Sequence, residues 1–267
     1  MSAPCKVCSG IGYAVGRRGE LAYAEICSSC SSNALDESLW YKIERDPSGY
    51  ETAVPTRNLH LVRRVRCFNE ARLPAAYGNK TMAGFEEQSV HHGLKTRLLR
   101  YTQRFDATQS NGILLIGPPG TGKTHLMCAM LHYLALQRGV TCRFLDFFDL
   151  TVKVRATYET GAKITEASII DPLVAVPVLA IDELGKGRSS HYERTIVDQL
   201  ISRRYNAGRI VIATTNYFPE ADLSGRLGPG GERTGLSLEE RVGPRIKSRL
   251  FEMCDVLTVG GDDYRSR

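Results

Sequence analysis

The stretch Ile113-Leu114-Leu115-Ile116-Gly117-Pro118-Pro119-Gly120-Thr121-Gly122-Lys123-Thr124 decides the fold. Four apolar residues of strand type run into a Gly-x-x-x-x-Gly-Lys-Thr loop, and a helical pattern over 123–138 follows, stopped by Gly139. Glycines let backbone N–H groups turn inward around an anion, and the start of a helix adds a favourable dipole. The reading is a phosphate-binding loop in its strand, loop, helix setting. Gly117, Pro118, Pro119, Gly120, Thr121, Gly122, Lys123 and Thr124 contact the nucleotide, together with the adjoining His125. Lys123 bridges the terminal phosphates of ATP, and the Thr124 hydroxyl ligates Mg²⁺.

Outward from this loop, short apolar runs at 112–116, 141–145, 176–181, 209–214 and 255–259 alternate with longer amphipathic stretches. That alternation predicts an α/β fold, a three-layer arrangement with a parallel sheet of about five strands. A helix is predicted over 191–206, ending near Gly208; over 237–253, Gly243-Pro244 leaves one interrupted helix or two shorter ones open. The run Val178-Leu179-Ala180-Ile181-Asp182-Glu183 ends a buried strand in two carboxylates at the end of the sheet where ligands bind. Asp182 suits Mg²⁺ through its water shell, and Glu183 suits a general base on the attacking water. A third strand ends in Thr214-Thr215-Asn216, where Asn216 can bond the γ-phosphate or orient that water.

Composition bounds the class. Of 267 residues, 42% are hydrophobic and 24% charged, which fits a globular protein rather than a disordered one. No basic segment leads into an apolar run, and no stretch of about 18 apolar residues occurs, so neither a secretory signal nor a spanning helix is expected. The expectation is a cytoplasmic protein away from membranes. The net charge of +6 is compatible with nucleic acid without requiring it.

Eight cysteines in a reducing compartment do not suggest a disulfide framework; Cys67, Cys128, Cys142 and Cys254 sit in apolar surroundings like small core residues. The other four form Cys5-x-x-Cys8 and Cys27-x-x-Cys30, eighteen residues apart, the spacing of a four-cysteine Zn²⁺ site. Competing readings are a redox pair or surface thiols, but neither needs two matched pairs. The segment is too short to fold without help, so the metal would supply its folding free energy. Three zones result: a zinc knuckle module at 1–32, a helical and partly basic connector at 33–110, and a nucleotide-binding domain at 111–267. Within the connector a helical pattern at 39–43 should end at the turn Asp46-Pro47-Ser48-Gly49.

With these residues in view, positions 71–267 resemble the AAA+ ATPases of the DnaC/DnaI helicase-loader type and their relatives, the IstB transposition helpers. The likeness rests on the loop, on the lead-in Ala71-Arg72-Leu73-Pro74-Ala75-Ala76-Tyr77 with Phe85 downstream, and on Tyr192-Glu193 with Ile196, Gln199 and Arg203. The ending Asp262-Asp263-Tyr264-Arg265-Ser266-Arg267 adds to it. It implies an AAA+ domain without a C-terminal helical lid, since eight residues follow Val259. It implies an arginine finger within Gly243-Pro244-Arg245-Ile246-Lys247-Ser248-Arg249, with Arg249 favoured and Arg245 the second candidate, acting on the ATP of a neighbouring copy. ATP hydrolysis would then be weak outside an assembly formed on ATP and DNA.

The resemblance also implies DNA, in particular single-stranded DNA, and either a replicative helicase or, in the IstB-like alternative, a transposase as partner. A third reading is a zinc-containing nucleotide switch with little turnover. Candidate DNA contacts are Lys153, Arg155, Tyr158 and Lys163, a basic and aromatic mixture suited to backbone attraction and base stacking. Arg57, Arg63, Arg64, Arg66 and Arg72, and the helical row Lys95, Arg97, Arg100 and Arg104, form basic stripes that could follow a phosphate backbone but read somewhat more readily as solvated faces.

Overall fold

A computed structural model describes residues 5–86, 93–158, 164–187, 190–219 and 237–264. The chain divides into two compact units, one of 1–80 with 131–142 and one of 81–130 with 143–267.

In the first unit, β1 (Tyr13–Arg18) and β2 (Leu21–Ile26) form an antiparallel hairpin. Helix α1 (Arg57–Ala71) buries Leu59, Val65, Cys67, Phe68 and Ala71. Asn69 of α1 acts as an extra rung on β2, its carboxamide accepting from Ala24 N at 2.8 Å and donating to Ala24 O at 3.0 Å. Phe68 packs edge-on against His132, and the Cys67 thiol donates to the Gly139 carbonyl. A second hairpin pairs β3 (Tyr41–Arg45) with β4 (Glu51–Pro55). This corrects the helix expected over 39–43. Asp46 accepts from Ser48 N and Tyr50 N, which closes the chain back on itself and pairs Ile43 with Ala53. A short apolar run does not distinguish helix from strand; the turn after it decided the outcome.

The second unit holds the sheet, in the order β6 (Cys142–Asp146), β7 (Val178–Asp182), β8 (Ile210–Thr215), β5 (Gly112–Ile116), β9 (Cys254–Thr258). β5 runs parallel to both β8 and β9, and β7 runs parallel to β8. Every residue of β5, β7 and β8 is buried, which explains their unbroken apolar character. Helices α2 (Leu94–Arg104), α4 (Phe147–Ala156), α5 (Glu166–Ala175) and α6 (His191–Asn206) surround it, and α3 (Lys123–Arg138) continues from the loop. The open choice over 237–253 resolves as two helices, α7 (Leu238–Val242) and α8 (Pro244–Met253). Gly243, at φ +89°, ends the first in a conformation closed to most residues, and Pro244 starts the second where its missing N–H costs nothing.

Arg204 of α6 is fully buried, and among the described residues no carboxylate pairs with it. Its guanidinium donates instead to five backbone carbonyls, those of Leu173, Val174, Val176, Pro177 and Ile210, at 2.6 to 3.2 Å. Burial draws its pKa down to about 9, with the Arg209 charge adding to the effect. It ties the end of α5 to the starts of β7 and β8.

Candidate nucleotide site and cysteine cluster

The loop leaving β5 wraps tightly. Gly120 and Gly122 take φ of +79° and +87°, and a Cβ at Gly122 would stand 2.7 Å from the Phe85 ring. Thr121, fully buried, donates to the Pro118 carbonyl at 2.9 Å and stiffens the turn. Lys123 opens α3 with its ammonium donating to the carbonyls of Gly117 (2.8 Å) and Pro118 (2.5 Å), so the charge is held inside the cradle. His125 lies beside this loop, 3.2 Å from the Thr81 carbonyl and edge-on to Phe85, which in turn packs against Tyr264.

Sheet order sets the remaining geometry. Because β8 lies between β5 and β7, the end of β8 stands between the loop and the acid. Thr124 donates to Asp182, 3.0 and 3.1 Å from its two oxygens, and Thr214 donates to Asp182 Oδ1 at 2.6 Å. Thr214 Oγ1 also accepts from Glu183 N at 3.0 Å. Burial pushes the Asp182 carboxyl above its ordinary range; the two hydroxyls oppose that, and the charges of Glu183 and Asp146 add to it. A hydroxyl and a carboxylate in contact at the foot of a phosphate loop are the donor set expected for Mg²⁺, a hard cation that binds through few carboxylates and retains water.

Glu183 follows at φ +53°, a left-handed conformation that costs a non-glycine residue energy and is held here by hydrogen bonds from both sides. Leu184 N donates to Thr214 O, and Thr215 Oγ1 donates to Leu184 O, each at 2.8 Å. The Glu183 carboxylate is ion-paired with Lys186. Asn216 is half-buried just beyond β8. The structure thus brings Lys123, Thr124, Asp182 and Glu183 to one end of the sheet. Thr214 and Lys186 escaped the sequence reading; the only signal for Thr214 was its position at the end of the third apolar strand.

The two α8 arginines differ. Arg249 is 18% exposed and donates to Ser202 Oγ of α6, whereas Arg245 is 66% exposed. Of the DNA candidates, Tyr158 is 66% exposed with its ring edge-on to Tyr192, and the Arg155 guanidinium lies 5.7 Å from the Tyr192 ring. Phe148 and Val152 of α4 are also exposed. Lys163 lies outside the described residues.

In the first unit, the sulfurs of Cys5, Cys8, Cys27 and Cys30 all lie within 4.8 Å of one another. Thiolates arranged tetrahedrally around Zn²⁺ at about 2.3 Å stand about 3.8 Å apart, so the cluster fits that ion. Two contacts cross between the motifs, Cys5 with Cys27 at 3.8 Å and Cys8 with Cys30 at 3.3 Å. Burial raises the pKa of Cys8, but the Gly12 amide, 3.4 Å from its sulfur, and the Cys30 thiol outweigh this and bring it to about 6. The proton is shared across the pair: the Ser31 hydroxyl lowers Cys30, but its contacts with the other thiols push it up to about 12, so the thiolate, the form that binds metal, is favoured at Cys8 and not at Cys30.

Among known proteins, the family model described as IstB-like ATP binding protein matches residues 56–267. The replicative helicase loader DnaC of Escherichia coli K12 is 25% identical over 229 residues, covering 84% of each chain. The DnaC loader of Buchnera aphidicola subsp. Acyrthosiphon pisum is 30% identical over 152 residues, and the chain spans 60% of that relative's length. An ATP-binding protein of insertion sequence IS5376 from Geobacillus stearothermophilus is 29% identical over 163 residues, covering 60% of this chain and 57% of that protein. The crystal structure of the DnaC helicase loader superposes with a TM-score of 0.57 at 25% identity, covering 69% of this chain and 98% of the other. The five-strand sheet is thus that of a P-loop NTPase.

Proposed function

The chain belongs to the IstB-like ATP-binding protein family, and from that membership we propose that it is an ATP-hydrolysing loader which places a replicative helicase on single-stranded DNA. The observation that carries the ATP site is the contact of Thr124 and Thr214 with Asp182 at the foot of the phosphate loop. Backbone amides of the loop and Lys123 receive the β- and γ-phosphates. Thr124 and Asp182 hold Mg²⁺, which supplies charge neutralisation on the phosphate oxygens. Glu183 takes the proton of the attacking water, Asn216 orients that water, and Arg249, or Arg245 beside it, neutralises charge on the ATP of a second copy. Hydrolysis is weak until copies assemble. Zn²⁺ on Cys5, Cys8, Cys27 and Cys30 fixes the β1–β2 hairpin as a partner-binding module.

Similarity to DnaC loaders along 84% of both chains supports a helicase as partner. Exposed Tyr158, Phe148 and Arg155 on and after α4 support single-stranded DNA, because unpaired bases can stack there while guanidinium meets phosphate. The IS5376 relative supports a second reading, in which the same ATPase assists a transposase on duplex DNA. Affinity capture from the native host with ATP present separates them. Recovery of a hexameric helicase, followed by its ATP-dependent transfer to a single-stranded circle, is expected; recovery of a transposase instead would overturn the loader reading.

A further inference from the structure

Asp198 of α6 stands between the two arginines of α8. Its Oδ2 is 3.6 Å from Arg245 Nη1, and its Oδ1 is 3.7 Å from Arg249 Nη1. Like charges four residues apart on a helix repel each other, and one carboxylate shared between them offsets that repulsion. Ser202, one turn along α6, extends the seat. Its hydroxyl accepts from Arg249 and donates to Asp198 Oδ1 at 3.1 Å. The Arg249 guanidinium also lies 5.5 Å from the centre of the Tyr205 ring.

A tie between α6 and α8 would need one arginine for one acid. Here two guanidiniums share one carboxylate, which leaves a net positive charge and more donors than the acid can satisfy. None of the contacts described for either arginine is with the chain's own phosphate loop. Arg249, 18% exposed, is fixed in direction by Ser202, and Arg245, 66% exposed, carries the outer charge of the pair. Such a pair suits a tetrahedral anion carrying several charges and presented from outside the chain.

We propose that Asp198, with Ser202, is a positioning residue that holds Arg245 and Arg249 as one preassembled unit for the terminal phosphate of ATP bound to a second copy of this chain. The inference rests on the reading that these arginines act in trans, and it adds the residue that aims them. Asp198 itself touches neither nucleotide nor water. Its contribution is to restrict the guanidiniums to one geometry before the copies meet, so that less ordering remains to be done when they do.

The test uses the full-length protein assembled with ATP and single-stranded DNA. Asp198→Asn should lower turnover about tenfold with ATP affinity unchanged, and should add little to Arg249→Ala, because residues acting through one another are non-additive. In mixed assemblies, Lys123→Ala copies supply arginines to Arg249→Ala copies that bind ATP. Placing Asp198→Asn in the Lys123→Ala copies should reduce the restored turnover about tenfold, and Asp198→Glu should recover part of it. Should Asp198→Asn fail to fold, Ser202→Ala removes the hydroxyl that joins Arg249 to Asp198 while leaving the carboxylate in place, and should give a smaller loss of the same kind. Wild-type turnover in these variants, or full additivity with Arg249→Ala, would overturn the positioning role. If Arg245→Ala and Arg249→Ala both keep full turnover, the trans reading itself fails.

Discussion

The Thr214 hydroxyl lies 2.6 Å from Asp182 Oδ1, so a residue at the end of one strand holds the acid at the end of its neighbour. Thr124 approaches the same carboxylate from the loop. Asp182 is therefore oriented by two hydroxyls from two different elements. Thr214→Val keeps the shape and removes the hydrogen bond. It should raise the Mg²⁺ concentration needed for half-maximal turnover by about tenfold or more, since one bond to a charged group is worth about 1.5–3 kcal/mol. A Mg²⁺ titration of ATP hydrolysis reads this directly; an unchanged midpoint would show that Thr214 does not set the metal site.

Burial raises the Asp182 pKa in the folded state. For a group whose folded pKa lies above its unfolded value, the stability it contributes is present at low pH and is lost as pH rises through the folded value. Ionised Asp182 therefore destabilises the fold near neutral pH when no cation accompanies it. Asp182→Asn should melt higher than wild type at pH 7 without Mg²⁺. The gap should close on acidification toward the ordinary carboxylate range. Thermal melts across that window check it, and a lower melting temperature for the variant at pH 7 would contradict the sign.

Lys123 is 6% exposed, and its ammonium is already directed at the loop carbonyls. Lys123→Ala should weaken ATP binding at least about tenfold by removing the charge that faces the terminal phosphates. Isothermal titration with a non-hydrolysable analogue measures the loss.

If Cys5, Cys8, Cys27 and Cys30 hold Zn²⁺ as proposed, Cys5→Ser combined with Cys8→Ser should abolish zinc binding. Without metal the hairpin Tyr13 to Ile26 loses the tie at its base, where Cys27 N meets Gly12 O. Metal analysis of the purified variant gives the answer, and full zinc content would refute the ligand set.

Arg204→Met should cost at least about 3 kcal/mol in urea denaturation, because five carbonyls lose their donor inside the fold. Arg204→Lys should recover only part of this, as an ammonium has three donors and no planar fork.

The sheet was legible because its central strands are buried on both faces, so Ile113 to Ile116 and Val178 to Ile181 carry no polar residue to obscure them. The two-helix outcome after Ser237 was visible as a possibility in Gly243-Pro244, but its backbone conformation was needed to decide it. The hairpin of Tyr41 and Ile43 was not legible, since alternation over five residues competes with a helical reading of the same apolar positions. Thr214 and Asp198 were hidden for another reason. A threonine at a strand end and an acid on a helix acquire meaning only from partners 32 and 47 or 51 positions away, and separation along the chain carries no trace of that contact.

Arg204 ties the starts of β7 and β8, at Pro177 and Ile210, while Thr214 and Asp182 tie their ends. Two strands fastened to each other at both extremities cannot slide, and they tilt only as a plate about five residues, or about 17 Å, long. The same guanidinium grips the last turn of α5. The end of α5 and the strand that finishes in Asp182 thus share one anchor.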